Sequence, residues 1–199
     1  MRKIIFACIM ILCMGLLSGC SHKTDADVST VFVEKSGSIV SVDVETLDKE
    51  YYNAEELESY ITEHVENYTS ANKDTVEMKS FDAEEGSAKL IMEYDSYQDY
   101  SGFNGIELYV GSIVTAQAEG YDFDTEFNSA EENTPVTKEE VISDDDNKVA
   151  IIKANVDVRV PGTILYVSAK DTQIKEKDTV SITGKGSNEE AALTYIIYK

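Results

Sequence analysis

Asn53-Ala54-Glu55-Glu56-Leu57-Glu58-Ser59-Tyr60-Ile61-Thr62-Glu63-His64-Val65-Glu66-Asn67-Tyr68 is the stretch that decides the fold class. Leu57, Tyr60, Ile61, His64, Val65 and Tyr68 recur at the i, i+3, i+4, i+7, i+8, i+11 spacing of one helical face. Glu55, Glu58, Glu63 and Glu66 fall on the other face. Asn53 is an N-cap residue whose side-chain oxygen takes up free backbone N–H groups, and Glu56 stands at the capping-box position. The spacing predicts an amphipathic helix with one face on a sheet and an acidic face in solvent.

On both sides of this helix the period changes to two. Val31 and Val33 lead into a Lys35-Ser36-Gly37-Ser38 turn, after which Ile39 and then Val40, Val42 and Val44 return as the second strand of a hairpin. A second hairpin runs from Val76 and Met78 through Ala83-Glu84-Glu85-Gly86-Ser87 to Ala88, Leu90, Met92 and Tyr94. Ser96 caps a short helix that ends at Gly102 and Gly105; a strand at 106–110 and a short helix at 112–119, closed by Gly120, follow. Residues 128–135 are polar and hold the first proline, which marks a sub-domain boundary.

Beyond it, Thr137-Lys138-Glu139-Glu140 opens one helical turn. Residues 149–160 read as one long strand with Ala150, Ile152, Ala154, Val156, Val158 and Val160 on one face. Pro161-Gly162 suits the centre of a type II turn before a returning strand at 164–167. Strands at 179–183 and 193–198 flank a Gly184-Lys185-Gly186-Ser187-Asn188 turn. The fold expected is α+β: an N-terminal lobe of β-hairpins with one amphipathic helix on a sheet, and a C-terminal antiparallel β lobe. Residues 30–199 are expected to form a single domain with lobes 30–128 and 135–199.

The chain has 199 residues, 38 of them Asp or Glu against 17 Lys or Arg, a net charge of −21. A protein that neutralises phosphates needs a basic face, so no nucleic acid is expected as partner. A hydrophobic fraction of 42 % is too high for a disordered chain.

Arg2 and Lys3 precede an apolar run at 4–17 that is shorter than the roughly 18–20 residues needed to span a bilayer, which favours a cleaved export signal. Leu17-Ser18-Gly19-Cys20 closes the run. These four residues resemble the lipobox of bacterial lipoproteins, in which a dedicated signal peptidase recognises Leu17, Ser18 and Gly19 and cuts before Cys20. The resemblance implies that residues 1–19 are a signal peptide and that Cys20 carries diacylglycerol and further acyl chains such as palmitate. Residues 20–29 then form a lipidated tether, and the domain sits at the extracytoplasmic face of the cell membrane. Such a tether reaches about 30 Å at about 3.5 Å per residue. Cys8 and Cys13 lie in the discarded segment, so the mature chain has one thiol and no internal disulfide. The strands from Val156-Asp157-Val158 through Pro161-Gly162 to Tyr195-Ile196-Ile197-Tyr198-Lys199 resemble those of small uncharacterised lipoproteins of anaerobic Gram-positive bacteria, a resemblance that implies no activity.

Candidate chemistry is sparse. His22 and His64 are the two histidines, one in the tether and one on the helix, which excludes multi-histidine zinc catalysis; no metal site is expected. Asp144-Asp145-Asp146-Asn147 lacks the glycine and closing glutamate of a calcium loop and reads as a solvated turn. Asp122, Asp124 and Glu126 alternate, which in a strand would align three carboxylates about 7 Å apart, the one arrangement suggesting a hydrolase. Ser70-Ala71-Asn72-Lys73 has no companion motifs, and Gly184-Lys185-Gly186-Ser187 lacks phosphate-loop spacing. Arg159, the only arginine after Arg2, is two residues from Asp157, which makes an exposed ion pair or a carboxylate-ligand contact its expected role.

Tyr94, Tyr97, Tyr100 and Phe103 recur every third residue and are the expected interaction surface if exposed. The reading is therefore a non-enzymatic, membrane-anchored extracytoplasmic binding or interaction module without a cofactor. Its partners are the membrane, through the lipid, and an envelope or membrane protein. A small-solute or cation-binding lipoprotein is the alternative, and a carboxylate-only hydrolase comes third.

Overall fold

The computed structural model describes residues 24–49, 52–84, 86–184 and 191–199. The first hairpin forms as its alternation dictates: β1 (Thr30–Val33) and β2 (Ile39–Thr46) are antiparallel, and Gly37 turns the chain at φ +93°, a conformation that needs a residue without a β-carbon. Next comes α1 (Ala54–Asn72), with the Asn53 side-chain oxygen accepting from the N–H groups of Glu55 at 3.0 Å and Glu56 at 3.2 Å. The second hairpin is β3 (Val76–Glu84) and β4 (Ser87–Tyr94). It is followed by α2 (Tyr97–Asn104), β5 (Leu108–Ser112) and α3 (Ile113–Ala118). The helices α2 and α3 are capped by Ser96 and Ser112, whose hydroxyls accept backbone N–H groups.

The remainder is β6 (Phe127–Ser129), β7 (Pro135–Val136), α4 (Lys138–Val141), β8 (Lys148–Ile152), β9 (Asp157–Arg159), β10 (Ile164–Ser168), β11 (Thr172–Glu176), β12 (Thr179–Ile182) and β13 (Thr194–Tyr198). The fold is α+β. Sheet A runs β11-β12-β9-β1-β2-β4-β3, and sheet B runs β5-β8-β13-β10-β6-β7. Pairing is antiparallel except between β1 and β9, which are parallel with Thr30 opposite Asp157.

Burial explains why the two sheets hold together. Val31, Val33, Ile39, Met92, Val158 and Val180 from sheet A share one apolar cluster with Ala150, Ile152, Val167 and Ile196 from sheet B. Alternation then places the odd-numbered side chains of β8 and β13 on the far face of sheet B. There Val149, Ile151, Tyr195 and Ile197 pack with Ile113 and Ala116 of α3, Val141 of α4, and the Phe123 and Phe127 rings. The centre of sheet B, β8 and β13, is therefore buried on both faces. Ile61, Val65 and Tyr68 of α1 pack against the first cluster beside β3, and the helix lies on sheet A as its periodicity predicts.

Four expectations are corrected. The stretch 149–160 is not one strand: β8 belongs to sheet B, β9 belongs to sheet A, and residues 153–156 cross between the layers. Its inward face is nonetheless as read, because Ala150, Ile152, Ala154, Val158 and Val160 all enter the shared cluster. The lobes 30–128 and 135–199 do not follow the sheets, since β9, β11 and β12 complete sheet A while β5 and β6 belong to sheet B. Gly162 does not have the positive φ of a type II turn. It is required by close approach instead: a β-carbon there would collide with the Lys199 carbonyl oxygen and lie 2.8 Å from its carbon. Finally, β12 and β13 lie in different sheets and are not a hairpin; residues 185–190 between them are outside the described residues.

The segment expected as tether is partly fastened. Asp25 pairs with Lys89, and Ala26 packs against Phe32, Val40 and Val42 on the outer face of sheet A. Ser29 accepts the Val44 N–H at 3.0 Å through its hydroxyl and the Asp157 N–H at 3.0 Å through its carbonyl.

Candidate functional site

Tyr94 and Tyr100 are core residues, 1 % and 3 % exposed, and Tyr97 and Phe103 are half-buried, so the expected exposed aromatic row does not form. The reason is local. Tyr94 ends an inward-facing strand position, and α2 turns Tyr97, Tyr100 and Phe103 toward the same cluster at helical spacing. The Tyr94 hydroxyl accepts from Asn104 Nδ2 at 3.1 Å, and its ring meets Tyr100 edge-on at 5.1 Å between centroids. Burial pushes the Tyr94 hydroxyl up to about 12 and raises that of Tyr100 as well. Beside them burial also raises the Asp43 carboxyl, which accepts from the Ser41 hydroxyl at 2.8 Å.

The most exposed aromatic ring among the described residues lies on α1. No residue of this helix is buried. Tyr60 is 67 % exposed and stacks parallel to His64 at 6.2 Å, and His64 meets the Phe103 ring at 4.6 Å. The Phe103 ring in turn contacts Tyr68 at 5.4 Å and Tyr94 at 5.9 Å. An exposed tyrosine–histidine pair is thus continuous, ring to ring, with the core. His64, expected to face the sheet, is exposed at the margin of the packed stripe. Next to the pair, Glu55, Glu58, Glu63 and Glu66 border a shallow depression with Ser59 and Thr62. All five acidic residues of α1 lack a helical Lys or Arg neighbour, because the helix contains none. Glu55 with Glu58, and Glu63 with Glu66, are like-charge pairs at i,i+3, each costing a few tenths of a kcal/mol, roughly 0.2–0.5.

Other sequence candidates are placed as follows. Asp122, Asp124 and Glu126 are not in a strand: Asp122 accepts the Asp124 N–H at 2.9 Å in a turn, with Phe123 buried between them at φ +55°. Asp144 accepts the Asp146 N–H at 3.0 Å and pairs with Lys199 at 3.1 Å, and these two donors hold its carboxyl below the usual range. Among the described residues no group of three or more His, Cys, Asp or Glu is placed to hold a metal ion. Arg159 pairs with Asp178 of the β11–β12 turn and not with Asp157. Cys20, with Leu17, Ser18 and Gly19, lies outside the described residues, as does His22. Sequence periodicity missed Tyr60 as an exposed group because it sits at the edge of the apolar stripe; the absence of Lys and Arg from α1 was the available signal that its outer face is unpaired.

No family model, curated protein or solved structure matches the chain. The class that the fold defines is an α+β protein of two stacked sheets with one half-packed surface helix.

Proposed function

We propose that this chain is a bacterial lipoprotein, anchored through acyl chains on Cys20 at the extracytoplasmic face of the membrane, and that it works as an interaction module without catalysis. Its docking face is the outer side of α1, and the occupant is a Lys- or Arg-bearing segment of an envelope or membrane protein. The observation that carries this reading is the pairing of an exposed aromatic stack, Tyr60 on His64, with an adjacent acidic depression that has no cation of its own. Aromatic anchors bordered by complementary charge are the usual make-up of an interface centre and rim. A basic segment would also remove the Glu–Glu repulsion along α1.

The test is site-specific photocrosslinking in cells, with a photoreactive phenylalanine in place of Ser59 in the full lipidated chain. The expected result is one membrane or envelope protein joined through a peptide rich in Lys and Arg. Its yield should fall at least tenfold with Tyr60→Ala or with Glu58→Lys combined with Glu63→Lys. Cys20→Ala should abolish acyl labelling and release the chain from the membrane fraction. Crosslinking that is absent, or that is indifferent to both α1 variants, would remove α1 as the docking face.

A further inference from the structure

At one end of the molecule the β1–β2 turn, the segment after β9 and the β11–β12 turn surround a cleft of about 370 Å³, a volume suited to a small ligand. Its wall contains Arg159 together with Lys35 and Lys177. Arg159 is held in place. Its Nε donates to Asp178 Oδ2 at 3.1 Å, and Asp178, its side chain 15 % exposed, also accepts the Thr179 hydroxyl at 3.1 Å through Oδ1. That bond uses one of the five guanidinium N–H groups. No hydrogen bond among the described residues takes up the four on Nη1 and Nη2, and Lys35 and Lys177 are exposed without an ion pair.

Around the cleft, Lys35, Arg159 and Lys177 stand with Glu34 and Asp178, the Lys199 ammonium is taken by Asp144 at 3.1 Å, and the Lys199 main-chain oxygen lies at the Gly162 wall. The net charge of −21 would repel an anion at long range. At physiological ionic strength, however, exposed charges are largely screened beyond about 8 Å, so the local arrangement decides what the cleft attracts. A guanidinium fixed through Nε presents a planar fork of donors that matches the two oxygens of a carboxylate or phosphate.

We propose that this cleft binds a small molecule through a carboxylate or phosphate group, taken by the free edge of Arg159 and flanked by Lys35 and Lys177, with Asp178 as a positioning residue. The proposal does not depend on the docking face of α1, which shares no residue with it.

The experiment is calorimetric titration of the full chain in non-ionic detergent with inorganic phosphate and with succinate, at constant sodium chloride. Saturable heat with either probe is expected. Arg159→Lys, which keeps the charge and loses the fork, should weaken binding about tenfold, and Lys177→Ala should weaken it several-fold. Both side chains are exposed, so neither variant threatens folding. Binding of the Cys20→Ala chain to phosphatidylglycerol vesicles, but not to phosphatidylcholine vesicles, with inorganic phosphate competing, would assign the group to a lipid headgroup. Heat with phosphate or succinate and no vesicle binding would assign it to a free solute. No saturable heat at millimolar probe, or equal affinity in both variants, would overturn the proposal.

Discussion

Strand β13 and helix α1 stand at opposite ends of one scale. All five residues of β13 are buried, whereas none of the nineteen in α1 is. The strand lies inside sheet B between β8 and β10, with one face on the inter-sheet cluster and the other under α3, α4 and the Phe123 and Phe127 rings. The apolar side chains by which the helix packs on the core are Ile61, Val65 and Tyr68, with the His64 ring against Phe103 at their margin. Stability is thus concentrated in the sheets, and α1 keeps a broad surface that folding does not consume. The element with the strongest local signal buries none of its residues fully.

The sharpest way to break this contrast is a matched truncation. Ile196 is fully buried, so Ile196→Ala should cost about 2–5 kcal/mol through lost transfer energy and a residual cavity. Tyr60→Ala on α1 should stay within about 0.5 kcal/mol, as substitutions of exposed residues usually do. Urea melts of the two variants measure both values, and similar losses would show that α1 is a structural element after all. A smaller effect is expected in alkali. The Tyr94 hydroxyl titrates at about 12 in the folded chain against an ordinary value of 10, so above pH 10 the unfolded chain releases a proton that the folded chain retains. The associated stability is intact below pH 10 and is lost as pH rises to about 12, roughly 2–3 kcal/mol over the window. Tyr94→Phe should flatten that part of the pH–stability curve, and an unchanged slope would mean that the ring is not sealed in the core. The smallest effect tests α1 itself: Asn53→Ala removes the acceptor for two N–H groups and should cost about 1 kcal/mol of helix stability, read as faster amide exchange in its first turn.

What could be read beforehand follows from how local each signal is. Gly37 between two alternating runs, Asn53 before an apolar stripe, and Ser96 before Tyr97 specify their elements within a few residues, and all three elements form. The partition into sheets is a long-range property. Apolar residues alternate without interruption from Ala150 to Val160, and hydrophobicity alone does not mark the crossing at 153–156; Asn155, whose side chain lies against Gly184, was its one local sign. Strands β6 and β7, three and two residues long, are too short to leave a periodic trace. The candidate surface failed for a related reason. A three-residue aromatic spacing carries no sign of which way it faces, and here Tyr94 stands on a strand while Tyr100 and Phe103 stand on a helix, all turned inward. Arg159 was legible as a lone arginine, but its partner Asp178 belongs to another strand turn that only the pairing of β9 with β12 brings alongside.

The parallel pairing of β1 with β9 also bears on the order in which the chain can become a protein as it leaves the ribosome or a translocation pore. Thr30, among the first described residues to emerge, has its partner at Asp157, and β9 is itself flanked by β12. The first hairpin can close early, but one edge of β1 stays open until Asp157–Arg159 has emerged. Long-range pairing of this kind is intrinsically slow to form. Sheet A is therefore sealed only when β9, β11 and β12 have joined the two hairpins, so its assembly waits on segments more than a hundred residues away from β1.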